Sequence, residues 1–595
     1  MGQLPDDPER DQPELTQHAM LIPWGLFAQQ MGFVQRIQSV PIPQRTRNHA
    51  PQSKLLELFV ATLSGCAYLQ DISQGPIPLD QDAAVARAWG QEGWADYSGV
   101  SRTLQACTPE TVTALEAMLS EISRPFIDHE VMLALRDQGV LVYDGDLTGR
   151  PVSATSTSYP GAAFGWMDDE IRLGYQAALV SLRSPSYGRL WLSVRQHPGD
   201  TLAMGQVQAM VHAAEATTGV RPRRRTELLR QRISDQRSLL EAAQGQEVRA
   251  QEQVAQAREQ LQQVEGEQAF WQQRVNDLEV VHQAQDRPER PYSALSKARS
   301  KAAVRQQRLS RRQQALAKSE RGLQRCQNRL LALQADLAVL EQRLAQFEAD
   351  NGTNGSPIRA VFRLDAGFGS GSNLALLIEM GYDVYTKAGN HQVVRALRRQ
   401  VSTASQWTKV GKNAEMLAWK DLTITNCPYP VDAGLERFQA GDREKHAVLL
   451  HYGTEPVTED TASWFNFYNE RQTIEAGVKE GKGVLQMHHF KVRSPVGVVI
   501  QELLTAFAAN FIRWAARTLR QNSVPPAPLA RIQGSVKQSV RIGANTPAWV
   551  IPQSQGCLLR FTEHSPLAGI ELAVGNAAPI QLPLPLFKSA VLEPI

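Results

Sequence analysis

Leucine returns at strict seven-residue intervals at Leu309, Leu316, Leu323, Leu330, Leu337 and Leu344, and a second apolar set follows three residues behind at Cys326, Leu333, Leu340 and Phe347. Upstream, Leu240, Val254, Leu261 and Val275 keep the same register against Ala243, Ala250, Ala257, Val264, Trp271 and Leu278. Apolar residues at such spacing over many heptads specify a coiled coil. The prolines in Asp286-Arg287-Pro288-Glu289-Arg290-Pro291 break the pattern midway and predict a chain reversal. Residues 221–356 are therefore expected to form a long antiparallel hairpin whose arms each reach about 85 Å at 1.5 Å per residue.

Both flanks of this hairpin read as α/β. At 595 residues the chain is long enough for several domains. Residues 1–130 are helical and punctuated, with helices expected over Ser53–Ala67, Gln81–Trp89 and Pro109–Ile127, the last capped by Thr108. Arg45, Arg47 and Arg102 suit either a DNA-binding domain or a plain bundle. Over 138–220 come strands at Gly139–Tyr143, Arg172–Leu182 and Arg189–Arg195, then a helix over Thr201–Thr218 capped by Asp200. After the hairpin, 357–403 resumes with a strand Ile358–Leu364, a helix Asn373–Met380, a strand Asp383–Lys387 and a helix His391–Val401. Residues 404–455 are β-rich, and 456–520 carry two helices, Thr461–Lys482 and Val496–Leu519. The Pro-rich 521–595 segment offers short strands and no assignable role.

No stretch approaches the roughly 20 apolar residues of a membrane span, so no membrane partner is expected. The polar Met1–Pro13 segment does not resemble a secretory signal, and five dispersed cysteines suit a reducing compartment, which together predict a cytoplasmic protein.

Three acidic residues stand out. Asp146 lies near the end of the first strand, Asp365 ends the strand after the hairpin, and Glu475 lies on a later helix. Metal-dependent phosphodiester chemistry requires hard oxygen ligands that hold two divalent cations about 4 Å apart. With the hairpin cut out, the order strand–strand–strand–helix–strand is that of a ribonuclease H core, in which the first strand neighbours the fourth. On a continuous helix Tyr468, Arg471, Glu475 and Lys482 fall at about 0°, −60°, −20° and −40°, one stripe carrying a carboxylate, two cations and a phenol. The plain alternative is a solvated helix with an Arg471–Glu475 ion pair. Asp144 shares a strand face with Asp146; the threonine at Thr148 favours Asp146 as the ligand, leaving Asp144 and Thr148 supporting roles.

Tyr468-x2-Arg471-x3-Glu475-x6-Lys482 resembles the YREK signature of one large group of insertion-sequence DDE transposases. Arg363-Leu364-Asp365-Ala366-Gly367-Phe368 resembles that group's second-aspartate motif, and Asp146-Leu147-Thr148 its first. The likeness covers 138–200 and 358–490. It implies an RNase-H-like mixed-sheet core, two Mg²⁺ (or Mn²⁺) ions on Asp146, Asp365 and Glu475, cleavage at transposon ends and strand transfer. It further implies transposon-end and target DNA as partners, a homodimer that pairs two ends, and DNA-phosphate contacts from Tyr468, Arg471 and Lys482. Lys387, at a strand end, is a further candidate DNA contact. Residues 404–455 resemble the group's usual insertion before the glutamate; the coiled coil between the first two aspartates departs from the pattern.

Other readings compete. Gly367-Phe368-Gly369-Ser370-Gly371 after a strand looks like an S-adenosylmethionine loop, but the next strand ends in Lys387 rather than an acid. A coiled-coil ATPase of the SMC type needs a P-loop, and Gly477 to Gly483 lacks its spacing. A non-transposing nuclease with the same core is the remaining enzyme class. The run 297–329 holds eleven basic residues against the single acid Glu320, which suggests DNA contact or subunit bridging. Trp407, Trp419 and Trp464 are weighed as base-stacking residues against ordinary packing, and His488 and His489 lack zinc-site spacing.

Overall fold

The structure, a computed structural model, describes residues 12–155, 158–285, 288–454, 459–522, 527–554 and 556–575. It contains two compact units, one formed by Arg224–Gly355 and the other by Met1–Arg223 with Ser356–Ile595.

In the first unit the heptads become two helices, Thr226–Gln283 and Ala294–Thr353, of 58 and 60 residues. Arg230–Glu348, Arg237–Glu341, Arg258–Glu320 and Arg299–Glu279 ion pairs match early residues to late ones, as antiparallel arms require. Val254, Val264 and Val275 on one arm and Leu340 and Phe347 on the other are buried. Leu309, Leu316 and Leu323 are only half-buried, the exposure a two-helix seam leaves. The expected reversal at Asp286-Arg287 lies outside the described residues.

The second unit holds the strands. They are β1 (Glu14–Thr16), β2 (Leu141–Pro151), β3 (Ala163–Met167), β4 (Glu170–Ser184), β5 (Gly188–Pro198), β6 (Ala360–Arg363) and β7 (Asp383–Lys387). They continue as β8 (Thr408–Lys409), β9 (Ala414–Ile424), β10 (Cys427–Ala440), β11 (Arg443–Tyr452), β12 (Ala548–Gln553), β13 (Gly556–Phe561) and β14 (Glu571–Val574). A ten-stranded mixed sheet runs β3-β4-β2-β6-β7-β11-β10-β9-β8, with β5 also on β4. β2 pairs in parallel with β6, and β6 with β7. Strands buried on both faces read as apolar runs, as in Leu141-Val142-Tyr143 and Val361-Phe362. The hairpin leaves this sheet intact because its ends meet: the Ile358 N–H donates to the Arg221 carbonyl at 3.2 Å. β1, β12, β13 and β14 form a separate four-stranded antiparallel sheet, so part of 521–595 folds with the N-terminus; residues 576–595 lie outside the described residues.

Four expectations need correction. β3 was not expected, because five residues with a central Gly165 carry too little alternation to read as a strand. The helix expected from Thr201 under an Asp200 cap begins at Val207 after a short 3₁₀ turn, with no side-chain cap. The Pro109 helix, capped by Thr108 as expected, continues past Ile127 to Gln138, since Glu130, Val131 and Ala134 are buried against the core despite Pro125. One helix, Pro495–Arg520, is long and apolar enough to cross a membrane, but 78% of its apolar window is buried within the protein. It is the hub of the helical core: Phe507 stacks on Phe33 at 5.2 Å, and Phe511 contacts Phe27, Phe59 and Trp89. The N-terminal helices therefore close on this late helix as well as on one another, as Phe59 does on Phe33 and Trp89.

Candidate active site

The strand register decides between the two aspartates of β2. Asp144 lies opposite Arg363 on β6. The guanidinium grips both its oxygens, Nε to Oδ1 at 2.7 Å and Nη2 to Oδ2 at 2.8 Å, and both side chains are fully buried. Asp144 is thus consumed in an internal pair. Asp146, two residues on, lies mid-way along β2 rather than near its end, opposite Leu179 of β4 and just past the last residue paired with β6, and its carboxylate is 15% exposed. Thr148 is buried opposite Ala177.

Asp365 stands two residues past the end of β6. Its Oδ1 accepts the Gly367 N–H at 2.9 Å and starts a 3₁₀ turn, while its carbonyl accepts the Thr386 hydroxyl of β7. The glycines of this loop serve internal packing. A Cβ on Gly369 would sit 1.8 Å from the Lys387 carbonyl, and one on Gly371 2.0 Å from that of Thr425. The close approach that suggested a cofactor loop is made by the protein's own backbone.

The helix expected over Thr461–Lys482 is two helices, Thr461–Asn469 and Gln472–Gly483, with a tight turn at Glu470-Arg471. Glu470 and Arg471 keep right-handed helical angles across the break, so Tyr468, Arg471 and Glu475 remain neighbours. Tyr468, at the end of the first helix, is 3% exposed and its hydroxyl donates to the Leu364 carbonyl at 3.1 Å. It packs inside rather than on an open face. Arg471, at the turn, is also buried; its Nη2 lies 2.8 Å from Glu475 Oε1 and its Nη1 3.8 Å from Asp146 Oδ1. Lys482 stands 3.8 Å from Asp168 in the β3–β4 turn. Lys387 approaches Glu436 at 3.4 Å and lies over the Tyr468 ring. The second helix is held against β5 by Arg189, which reaches the Thr473 carbonyl and Glu480. A Cβ on Gly477 would come within 2.3 Å of that guanidinium.

Asp146, Asp365 and Glu475 thus come together around Arg471 from elements more than a hundred residues apart. Burial and the neighbouring Asp365 push the Asp146 carboxyl up to about 6, against the pull of Arg471. Burial also raises Asp365, with Glu475 adding to the effect. For Arg471 burial opposes the charge, yet Tyr468 and the three carboxylates together hold it above its ordinary value. Three carboxylates share one guanidinium, so negative charge is in surplus. These are hard oxygen donors, the type that divalent cations take. Among the described residues, however, no three His, Cys, Asp or Glu side chains are already gathered at ligating distance. Glu475 is turned onto Arg471.

Sequence reasoning missed Arg363, Asp168 and Arg189. Arg363 had a signal, as a lone cation in an apolar strand; the other two owe their roles to tertiary contacts alone. Trp464 is buried and Trp407 is covered by Arg437 at 4.1 Å, so both pack. The His488 and His489 rings lie 3.9 Å apart, tilted by 46°. No protein-family model matches this chain, and no curated protein sequence matches it.

Proposed function

We propose that this chain is a DNA transposase of the insertion-sequence group carrying the YREK signature, cutting at transposon ends and transferring strands by metal-dependent phosphoryl transfer on an RNase-H-like core. The observation that carries the reading is the convergence of Asp146, Asp365 and Glu475 on one charged focus. The parallel neighbourhood of β2, the first main strand, and β6 supports the core. Asp146 and Asp365, joined by Glu475 once it parts from Arg471, would hold the Mg²⁺ or Mn²⁺ ions, which when bound supply Lewis-acid activation of the attacking oxygen and neutralise the leaving one.

The protein's own groups divide the remaining work. Arg471 Nη1 is buried without a hydrogen-bond partner among the described residues, which makes it a donor for a phosphate oxygen beside Asp146. Lys482, partly exposed near Asp168, offers a second cation to the strand. Tyr468 fixes the end of β6 through Leu364 and so positions Asp365; this replaces the DNA contact that the resemblance implies. Pairing two ends calls for two copies of the chain.

The test is Mn²⁺-dependent nicking of DNA that carries the element's ends. Glu475→Gln and Asp365→Asn are expected to abolish nicking while binding persists; undiminished nicking by either variant refutes the reading. Nicking without strand transfer would assign a nuclease instead.

A further inference from the structure

The helix His391–Gln400 has a strongly divided surface. Leu397 is buried, whereas His391, Arg395, Arg398 and Arg399 are exposed within an arc of about 100°. Next to it, the β8–β10 edge forms an open cleft of about 470 Å³ whose lining includes Lys409, Lys412 and Arg437. His446 on β11, opposite Arg437, links the two. Burial chiefly, with Arg398 and Arg437 adding to it against the pull of Glu444, holds its imidazole below the ordinary value. The nearby acids are few. Glu415 is taken by Arg437 at 2.8 Å, and Glu444 lies 3.5 Å from His446. Arg437 is itself flattened over Trp407, which fixes the guanidinium as a platform.

Six cations on a helix face and an adjoining cleft, with two acids between them, make a surface that repels itself unless a polyanion covers it. The basic run of the coiled coil is less free: Arg299, Arg305 and Arg308 already pair with Glu279, Glu289 and Glu267.

We infer that the His391–Gln400 helix and the Lys409–Arg437 cleft bind the backbone of a DNA duplex, a second DNA segment beyond the one at the carboxylate focus. This rests on the transposase reading for the identity of the polyanion. Contacts to phosphates from a convex helix face and an open cleft carry no base readout, so the bound segment is one accepted without regard to sequence, as target DNA is.

The experiment uses the full-length chain and a random-sequence duplex, titrated by fluorescence anisotropy over a salt series. Replacing Arg398, Lys409 and Lys412 together by Gln should weaken binding at least tenfold and flatten the slope of log K against log salt by about two to three, near 0.9 per cation lost. Charge-keeping swaps (Arg398→Lys with Lys409→Arg and Lys412→Arg) should retain the parent slope. Unchanged affinity and slope in the Gln variant overturn the inference, as does an equal loss in the charge-keeping variant or tighter binding of single-stranded RNA than of duplex. Nicking of end DNA, measured in parallel, separates the two readings. If the parent protein never nicks yet the Gln variant loses duplex binding, the surface stands and the transposase reading falls.

Discussion

Arg363 and Asp144 face each other on the adjacent parallel strands β6 and β2 and join through two hydrogen bonds, 2.7 and 2.8 Å, in full burial. Arg363 also donates to the Phe467 carbonyl and lies over its ring at 4.9 Å, so one side chain ties both strands to the helix before Arg471. Removing one partner leaves the other charge buried and uncompensated, which typically costs about 3–5 kcal/mol. Arg363→Met is expected to lower unfolding stability by that order in urea titrations. The double variant Arg363→Met with Asp144→Leu should recover much of the loss, because an apolar pair leaves no stranded charge. Equal destabilisation by single and double variants would remove the pair from this role.

Asp146 behaves oppositely. Its carboxyl is raised to about 6 in the folded protein against an ordinary value of 3.8. The folded state therefore holds the proton more tightly than the unfolded one, and stability falls as pH rises through this window. Above about pH 6 the ionised group destabilises the fold by an amount of order 1–3 kcal/mol. Asp146→Asn, in the presence of a chelator, should unfold at higher denaturant than the parent at pH 7.5, and the difference should vanish near pH 4. A variant less stable than the parent at neutral pH would contradict the surplus of negative charge at this focus.

What could be read from the chain follows from the range of the forces involved. The coiled coil was legible because heptad spacing is a local property, and helices over Thr226–Gln283 and Ala294–Thr353 are what it specified. Asp365 and the parallel pairing of β2 with β6 were likewise accessible from the order of elements. Alternation alone did not separate Asp144 from Asp146, since it gives both one face; Thr148 pointed to Asp146, and the partner that occupies Asp144, Arg363, lies 219 residues away. The break at Glu470-Arg471 was hidden because helical periodicity continues across it. What splits the helix is tertiary: Tyr468 is drawn to Leu364, while Arg189 draws the next helix to β5 through Thr473. Pro125 shows the reverse case, where burial carries a helix through a residue that local rules would use to end it.

Divalent cations should stabilise the protein without DNA. A ligand that binds only the folded state adds about 2.7 kcal/mol at a hundred times its Kd, and surplus charge on Asp146 and Asp365 gives Mn²⁺ or Mg²⁺ an electrostatic reason to bind. Thermal unfolding should shift upward with added Mn²⁺. The shift should be lost in Asp146→Asn with Asp365→Asn, and enlarged in Arg471→Gln, which frees Glu475 from its 2.8 Å contact. An identical shift in the aspartate variant would mean that the ion binds elsewhere.

Gly477 offers a test of how Glu475 is positioned. Alanine is favoured over glycine within a helix by about 1 kcal/mol, yet a Cβ here would meet the Arg189 guanidinium at 2.3 Å. That guanidinium also reaches Glu480 and lies over Trp191, so it has little room to yield. Gly477→Ala should therefore destabilise the protein despite its better propensity, by about 1–3 kcal/mol as overpacking does. Arg189→Ala removes the obstacle, and in that background Gly477→Ala should become neutral or stabilising. The coupling from the four-variant cycle should exceed about 1 kcal/mol. Additive effects would show that the helix carrying Glu475 is not seated on Arg189 and that another contact sets its height above β5.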